Sequence, residues 1–338
     1  MRRRVALGAA AAALAAAAGA GLAAGQVQAA AFSFQDIIDT ADPTFNRELD
    51  INNGGLIAGY FGSGAAGHPN QGYTVAPPTY TSFTSENFPG SVQTQVTGLN
   101  NIGTTVGFWS NTNLGVGLDS NFGFTNVGGV FTNVNNPNTA TTPPVFNQLL
   151  GVNDHNIAVG SYTDAAGVTH GYTYTIATQT FSANIDDPNA VGNTTAAAIN
   201  NAGVIAGFYT DGAGNFHGFI DNNGSFTTLD SAGAMDTNLL GLNNNGEAVG
   251  FDIDAQMMMH GIVCSIMTLT CQQVDDPNGI GTTTFNGVND RGQIVGFEVN
   301  GGDNTIGLLA NPVPEPTSLA LLAAGSLLSD LSIERRLG

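Results

Sequence analysis

Lysine is absent from this sequence of 338 residues, and five of its seven arginines lie within four residues of a chain end. Between residues 32 and 312 the chain has 23 aspartates and glutamates but only two arginines, a net charge of −21 with histidine neutral. Proteins that bind nucleic acids need clustered lysine and arginine to neutralise phosphates. The composition therefore excludes nucleic acid as a partner.

Charged residues are also scarce, at 10% of the chain, whereas glycine contributes 46 residues. This composition alone would fit a disordered chain, but Ile, Val, Leu and Phe recur periodically along it. We therefore expect a packed, turn-rich β-protein of the extracellular type.

Cysteine is limited to Cys264 and Cys271, which flank a predicted turn. In an exported chain an even pair in this position predicts a disulfide between neighbouring strands. A redox pair and a metal site are the alternatives, but the C-x-x-C spacing of the first and the partner histidines of the second are lacking.

One phrase occurs six times: an aliphatic residue, then Asn, then Asn or Asp, then a short apolar run bounded by glycine. Its leading asparagines are Asn52, Asn100, Asn153, Asn200, Asn243 and Asn289. The intervals of 43 to 53 residues between them indicate a tandem array of one supersecondary unit. A residue that recurs in every unit of such an array usually builds the unit.

Each unit is predicted to contain four short strands separated by Gly, Asn and Asp turns. A glycine recurs inside the second strand of each unit, which indicates close approach by a neighbouring backbone or ring. In the third unit Asn156 stands where the other first turns have glycine. Asn tolerates the left-handed conformation best after Gly, so a type I turn closed by a left-handed residue is expected. Four-stranded units of this length are typical of β-propeller blades.

The sixth unit stops after three strands, and a segment of fourth-strand character stands at residues 32–40 instead. Pairing of the first segment with the last sheet would remove exposed edges. We therefore predict an all-β, six-bladed β-propeller of four-stranded blades over residues 32–311, closed by the N-terminal strand. An open stack of repeats is the alternative, but it needs polar end caps that the sequence lacks.

The two chain ends carry the marks of export. Three arginines and an Ala/Leu-rich stretch, followed by small residues, predict a signal peptide over residues 1–31. At the other end Pro314, Glu315 and Pro316 precede an apolar segment and two arginines. This order resembles the PEP-CTERM sorting signal of Gram-negative bacteria, over residues 312–338.

That resemblance implies recognition by an exosortase-like membrane enzyme, transient membrane association through the tail, and delivery to the cell envelope or the extracellular matrix. The predominantly apolar twelve-residue segment 317–328 would form a helix of roughly 18 Å, shorter than the hydrocarbon core of a bilayer. Failed sorting and a disordered tail are therefore the alternatives.

The repeats also resemble an extracellular family known for a His-Ala-Phe triplet. The triplet takes the form His170-Gly171-Tyr172, His217-Gly218-Phe219 and His260-Gly261-Ile262 in this chain. The resemblance implies a destination and a fold rather than a chemistry.

Aspartates and histidines recur in the loops that a propeller places on one common face. The candidate ligand or cation face consists of Asp164, Asp186, Asp187, Asp211, Asp275, Asp276, His170, His217 and His260. Calcium or a transition metal is one interpretation. Because these residues recur unit by unit, His–Asp pairs that support turns are the other, and no resident cofactor is predicted.

An active site has to be asymmetric, so it should lie where the repeat breaks. The breaks are Arg47, Trp109, the insertion 111–120, His155, residues 257–259 and Arg291. They do not combine a nucleophile with a base and an orienting group, so catalysis is not predicted, and a propeller hydrolase or lyase is the least favoured alternative.

The predicted function is that of an exported, non-enzymatic scaffold or interaction module, with an extracellular polysaccharide as a candidate partner. A carbohydrate-binding propeller, which could depend on calcium, is the main alternative.

Overall fold

We describe residues 31–313 of the chain from a computed structural model. The predicted signal peptide (residues 1–31) and the predicted sorting tail (residues 312–338) lie outside these residues, except for Ala31 and residues 312–313, which belong to strands. Residues 31–313 form 24 β-strands and no helix, so no helix among them could span a membrane.

The strands follow one another in groups of four. The first three groups are β2 (Asn46–Ile51), β3 (Ile57–Phe61), β4 (Gln71–Val75), β5 (Phe83–Ser85); β6 (Gln93–Leu99), β7 (Thr104–Ser110), β8 (Phe122–Val127), β9 (Val130–Val134); and β10 (Asn147–Val152), β11 (Ile157–Thr163), β12 (Thr169–Thr175), β13 (Thr180–Phe181). The remaining strands are β14 (Asn193–Ile199), β15 (Ile205–Thr210), β16 (Phe216–Asn222), β17 (Ser225–Thr228); β18 (Asp236–Leu242), β19 (Glu247–Ile253), β20 (Met259–Ser265), β21 (Thr270–Gln273); and β22 (Thr283–Val288), β23 (Ile294–Val299), β24 (Thr305–Val313), with β1 (Ala31–Ile37) at the start.

Within each group the paired strands are antiparallel, and the sheets have a propeller-like arrangement. Four sheets have four strands each, and a fifth has eight strands, β10 to β17. Six separate four-stranded sheets were predicted, whereas the described residues form five sheets, so the predicted number is wrong. The reason is one parallel bridge, Thr169 to Asn193, which joins β12 to β14. In the comparable parallel bridges Phe45–Thr305, Asn121–Phe146 and Met259–Thr282, at least one of the two residues lies just outside a strand, so these bridges join no sheets.

The opening strand β1 lies antiparallel to β24, the neighbour that the sequence predicted for this segment. The register runs from Ala31 opposite Val313 to Ile37 opposite Gly307. Ile37 is buried in a cluster with Tyr73 and Leu309. The first segment of the chain thus completes the sheet β22–β24 and contributes to its core.

The first strand of each group carries a β-bulge. The six bulged residues line one cavity between the groups, which we call the central channel. These residues are Leu49, Thr97, Leu150, Ala197, Leu240 and Asn286. A bulge bends its strand and redirects a side chain. It also brings a main-chain oxygen close to the glycine of the second strand: a Cβ on Gly207 would lie 2.0 Å from the oxygen of Thr195. The predicted close approach at the recurrent glycine is confirmed.

The repeated asparagines are linked to one another around the channel. Each leading Asn donates from Nδ2 to the main-chain oxygen of the next leading Asn, and Asn289 donates to Asn52 at 3.0 Å. The Oδ1 atom of each leading Asn accepts two main-chain N–H groups of its own turn, as that of Asn200 does from Ala202 and Val204. Asn156 has φ of 55°, so the left-handed residue predicted there is confirmed. These asparagines therefore shape the turn and join neighbouring units.

A Gly207→Ala substitution should destabilise the protein by about 2–4 kcal/mol, because the methyl group would overlap a main-chain oxygen that the bulge holds in place. Gly212→Ala is the matched control, since the nearest atom to its Cβ is Val191 Cγ2 at 3.6 Å and its φ is not positive. We expect the control to change the free energy of unfolding in urea by about 0.5 kcal/mol or less. Equal stabilities for the two variants would contradict this account of the recurrent glycine.

The predicted disulfide is confirmed: Cys264 on β20 is bonded to Cys271 on β21. The two residues are direct partners across the antiparallel pair. Closing so short a loop contributes roughly 2–3 kcal/mol in the chain-entropy estimate. Because Cys264 is buried, this bond also closes one side of a hydrophobic core.

Candidate functional site

Three histidines of the candidate face each contact two aspartates. His217 Nδ1 lies 2.8 Å from Asp230, and its Nε2 lies 3.4 Å from Asp211. The same arrangement holds His260 between Asp275 and Asp254, and His170 between Asp186 and Asp164. Each histidine therefore links the loop before the third strand to the loop after the fourth.

The aspartate before the third strand also shapes its own loop. Asp211 Oδ1 accepts the main-chain N–H groups of Ala213 and Asn215. These hydrogen bonds, with that of Asn215 first, lower the pKa of Asp211 to about 2. Asp164 accepts equivalent bonds from Ala166 and Val168, and its pKa is lowered as well. Each of these two carboxylates therefore accepts hydrogen bonds from its own turn and contacts a histidine.

Asp187 and Asp276 are buried rather than displayed on the face. In each, Oδ1 accepts a main-chain N–H two residues ahead, while Oδ2 is buried with no partner among residues 31–313. Burial raises the pKa of both carboxyls. Within the described residues, no group of three or more His, Cys, Asp and Glu side chains has an arrangement that could hold a metal ion.

The His–Asp contacts predict a pH effect. The hydrogen bonds that His217 and His260 donate to Asp230 and Asp275 raise the pKa values of the two histidines above 6.5. A raised histidine pKa stabilises the fold below the unfolded value, and this stabilisation is lost as pH rises through the folded value. Between pH 5.5 and 8.5 we expect the wild type to lose more stability than His217→Gln, by up to about 1 kcal/mol. The exposed His68→Gln is the control, and a His217 NMR titration at or below 6.5 would refute the prediction.

Several breaks of the repeat meet at a cavity of about 610 Å³ that we call the channel-mouth pocket. It is lined by residues from the first three units, among them Arg47, Tyr60, Gln95, Trp109, Asp119 and Gln148. A second cavity of about 300 Å³ shares several of these residues and extends along the channel to the bulged residues. Three of the predicted breaks, Arg47, Trp109 and the insertion 111–120, contribute to this pocket.

The insertion is held in place by its own carboxylate. Asp119 accepts hydrogen bonds from Thr112, Leu114, Gly115 and Gln93. Partial burial raises the pKa of Asp119, but these bonds outweigh it and lower the pKa below its usual value. Asp119 is therefore a structural carboxylate that stays ionised, not a proton donor.

Aromatic rings and amides make up much of the remaining wall. Trp109 stacks on Phe88 with ring centroids 4.5 Å apart, and its Nε1 donates to Asn133. Gln95 donates to Asn70 and Gln148 to Asn121, each at 2.8 Å. These bonds fix the two glutamine side chains from behind.

Arg47 and Trp109 were predicted from the sequence as breaks of the repeat, whereas Gln95 and Gln148 were not predicted to lie in a site. A signal for them was present five residues before each leading Asn, at Arg47, Gln95, Gln148, Thr195, Asn238 and Thr284. The first three units have long polar side chains at that position, whereas the last three have short ones. The difference predicts an asymmetric channel mouth.

Comparison with solved structures shows similarity of fold only. The putative TolB of Agrobacterium tumefaciens aligns with 84% of this chain and 100% of its own at 10% identity, with a TM-score of 0.53. TolB of Acinetobacter baumannii aligns with 78% of this chain and 54% of its own at 10% identity (TM-score 0.42), and the β-propeller domain of the Trilobed protease from Pyrococcus furiosus with 80% and 98% at 7% identity (TM-score 0.41). No protein-family model and no curated protein matches the chain.

Proposed function

We propose that this chain is an exported, non-enzymatic β-propeller of six blades that works as an interaction module at the cell surface or in the exopolysaccharide matrix. The count of six is supported by the six linked asparagines, whose hydrogen bonds return from Asn289 to Asn52. It is also supported by the single bridge that joins the two halves of the eight-stranded sheet. In this proposal β1 closes the last blade.

A binding role is supported by a difference between two sets of polar residues. Most of the recurring Asp, His and Asn side chains form hydrogen bonds that hold turns or join neighbouring units. The channel-mouth pocket, in contrast, has polar groups that are left open to a ligand, and this observation carries the proposal. Its one acidic side chain, Asp119, is held ionised by the insertion, which argues against acid catalysis.

Export and sorting are proposed from the chain ends, through a signal peptide and an exosortase-like enzyme that reads Pro314, Glu315 and Pro316. Expression in a Gram-negative host that carries such an enzyme tests this step. We expect the mass of the released protein to show cleavage near residues 29–32 and loss of the C-terminal tail. Triple alanine substitution of the motif should keep the tail attached, whereas Thr317→Ala should not. A released form with both ends intact would contradict the proposed processing.

The carbohydrate-binding alternative is favoured by one observation, the pairing of aromatic rings with fixed amides in the channel-mouth pocket. Incubation of the protein with matrix polysaccharide distinguishes the roles. Release of new reducing ends would indicate a hydrolase or lyase and contradict the non-enzymatic proposal, whereas retention without cleavage would support it. A change in retention after calcium chelation would indicate that the binding depends on the cation.

A further inference from the structure

Arg47 is chemically exceptional in this molecule. Residues 31–313 contain only one other arginine, Arg291, among 23 acidic side chains. Every ion pair found in that part of the chain joins a histidine to an aspartate, so Arg47 has no carboxylate within 4.0 Å there. An unpaired guanidinium inside so anionic a protein has to be explained by its position.

Two aromatic rings hold Arg47 at the channel-mouth pocket. Its guanidinium carbon lies 4.2 Å from the ring centroid of Phe297 and 5.0 Å from that of Phe45. Such contacts favour the cation but accept none of its hydrogen bonds in the way a carboxylate does. Nε is buried and has no partner among the described residues. The guanidinium is therefore fixed, charged and short of acceptors.

The groups beside Arg47 match a polyhydroxylated ligand. Gln95 and Gln148 use their nitrogens on Asn70 and Asn121, and their Oε1 atoms accept no hydrogen bond from residues 31–313. Amide oxygens of this kind accept from hydroxyl groups. Phe108, Phe146 and Trp109 provide apolar surface on the same wall. The volume of about 610 Å³ lies in the range of small-molecule sites.

We propose that the channel-mouth pocket binds a short saccharide that carries a carboxylate, a uronic acid, with Arg47 receiving the carboxylate. This assignment rests on the interaction-module role proposed above and names its ligand class. The guanidinium can bind a carboxylate through two parallel hydrogen bonds, a bidentate geometry. The glutamine oxygens accept hydrogen bonds from sugar hydroxyls, and the rings cover the apolar face of the sugar. A long polyanion would be repelled by the body of the protein, so the ligand is a short chain or a chain end.

The only tryptophan of the chain lines this pocket, so its fluorescence reports occupancy. We would titrate the full chain with D-glucuronate, D-glucose and acetate. Glucuronate should change the Trp109 emission saturably and bind at least about tenfold more tightly than either glucose or acetate, because each of these lacks one half of the recognition.

Arg47→Gln should weaken glucuronate binding by at least about tenfold and leave glucose binding within about threefold. Arg291→Gln removes the same charge outside the pocket and is the matched control, with no expected effect on either sugar. Arg47→Lys, which keeps the charge but not the bidentate geometry, should give an intermediate loss. Circular dichroism of each variant establishes that it is folded, and the wild-type titration tests the proposal independently of any variant.

Equal binding of glucuronate and glucose by the wild type would overturn the assignment, as would equal losses in Arg47→Gln and Arg291→Gln. A full chain that is exported and retained in the matrix but binds none of the three probes would overturn the ligand class and leave the interaction-module role standing. Glucuronate binding by a chain that is not exported would support the ligand class and count against the cellular role.

Discussion

A chain that begins at Ile38, and so lacks β1, is expected to lose its monomeric fold. The deletion leaves all seven paired residues of β24 without their neighbour. It also removes Ile37 from one core cluster and Phe32 and Phe34 from the surface of another. Burial of a large apolar side chain contributes roughly 1.5–3 kcal/mol, so the lost contacts are comparable with the whole stability of a domain. The exposed edge of β24 should also pair with other chains.

Size-exclusion chromatography and thermal unfolding measure both effects. We expect dimers or aggregates and a melting temperature lower by at least about 10 °C, if cooperative melting persists at all. A synthetic peptide of residues 31–40 is the control, because it should restore the monomer by pairing with β24 in trans. A truncated chain that stays monomeric with an unchanged melting temperature would show that β1 does not complete the last sheet.

The repeat made much of this fold predictable, because each unit solves the same backbone problem with the same residues. The turn asparagines, the glycine of the second strand and the missing fourth strand of the last unit each have one physical reason. The parallel bridge at Thr169–Asn193 was not predictable, since it depends on where strands of neighbouring units end. Strand ends are set by tertiary contacts rather than by local sequence.

The candidate site was less predictable for a related reason. Periodicity draws attention to His217 and Asp211, which recur, and these residues prove to hold loops together. The channel-mouth pocket depends on positions where units differ, such as Gln95 and Gln148, and on the rings that flank Arg47. Phe297 is distant from Arg47 in sequence, so only the folded chain brings the two side chains together.

Glu48 is another position at which one unit differs from the rest, and it should make the stability of the protein strongly sensitive to alkaline pH. The corresponding residue of the other units is apolar: Val96, Leu149, Ala196, Leu239 and Phe285. Glu48 is completely buried, its Oε1 accepts a hydrogen bond of 2.7 Å from Tyr73, and its Oε2 has no partner among the described residues. Burial raises the pKa of Glu48 to about 8, although the Tyr73 hydrogen bond lowers it, and the charge of Asp39 adds to the rise.

The sign of the pH effect follows from that raised pKa. Its ordinary value is 4.5, so between pH 4.5 and about 8 the folded state holds a proton that the unfolded state releases. Stability from this group is complete below pH 4.5 and is lost as pH rises through about 8. Glu48→Gln keeps the shape of the side chain and a hydrogen-bonding group for Tyr73, but it has no charge at any pH.

We therefore expect Glu48→Gln and the wild type to differ by less than about 1 kcal/mol near pH 4, where both side chains are neutral. At pH 9 the variant should be more stable by roughly 3–5 kcal/mol, because each unit of pKa shift corresponds to about 1.4 kcal/mol. Urea unfolding at pH 4, 6.5 and 9 measures the difference.

Asp303→Asn, which removes a charge from an exposed turn, should show no such dependence. Other carboxyls, such as Asp50, whose pKa is raised to about 7 by desolvation, titrate in both proteins, so their effect cancels in the comparison. Parallel stability curves for Glu48→Gln and the wild type would mean that Glu48 is already ionised in the folded protein.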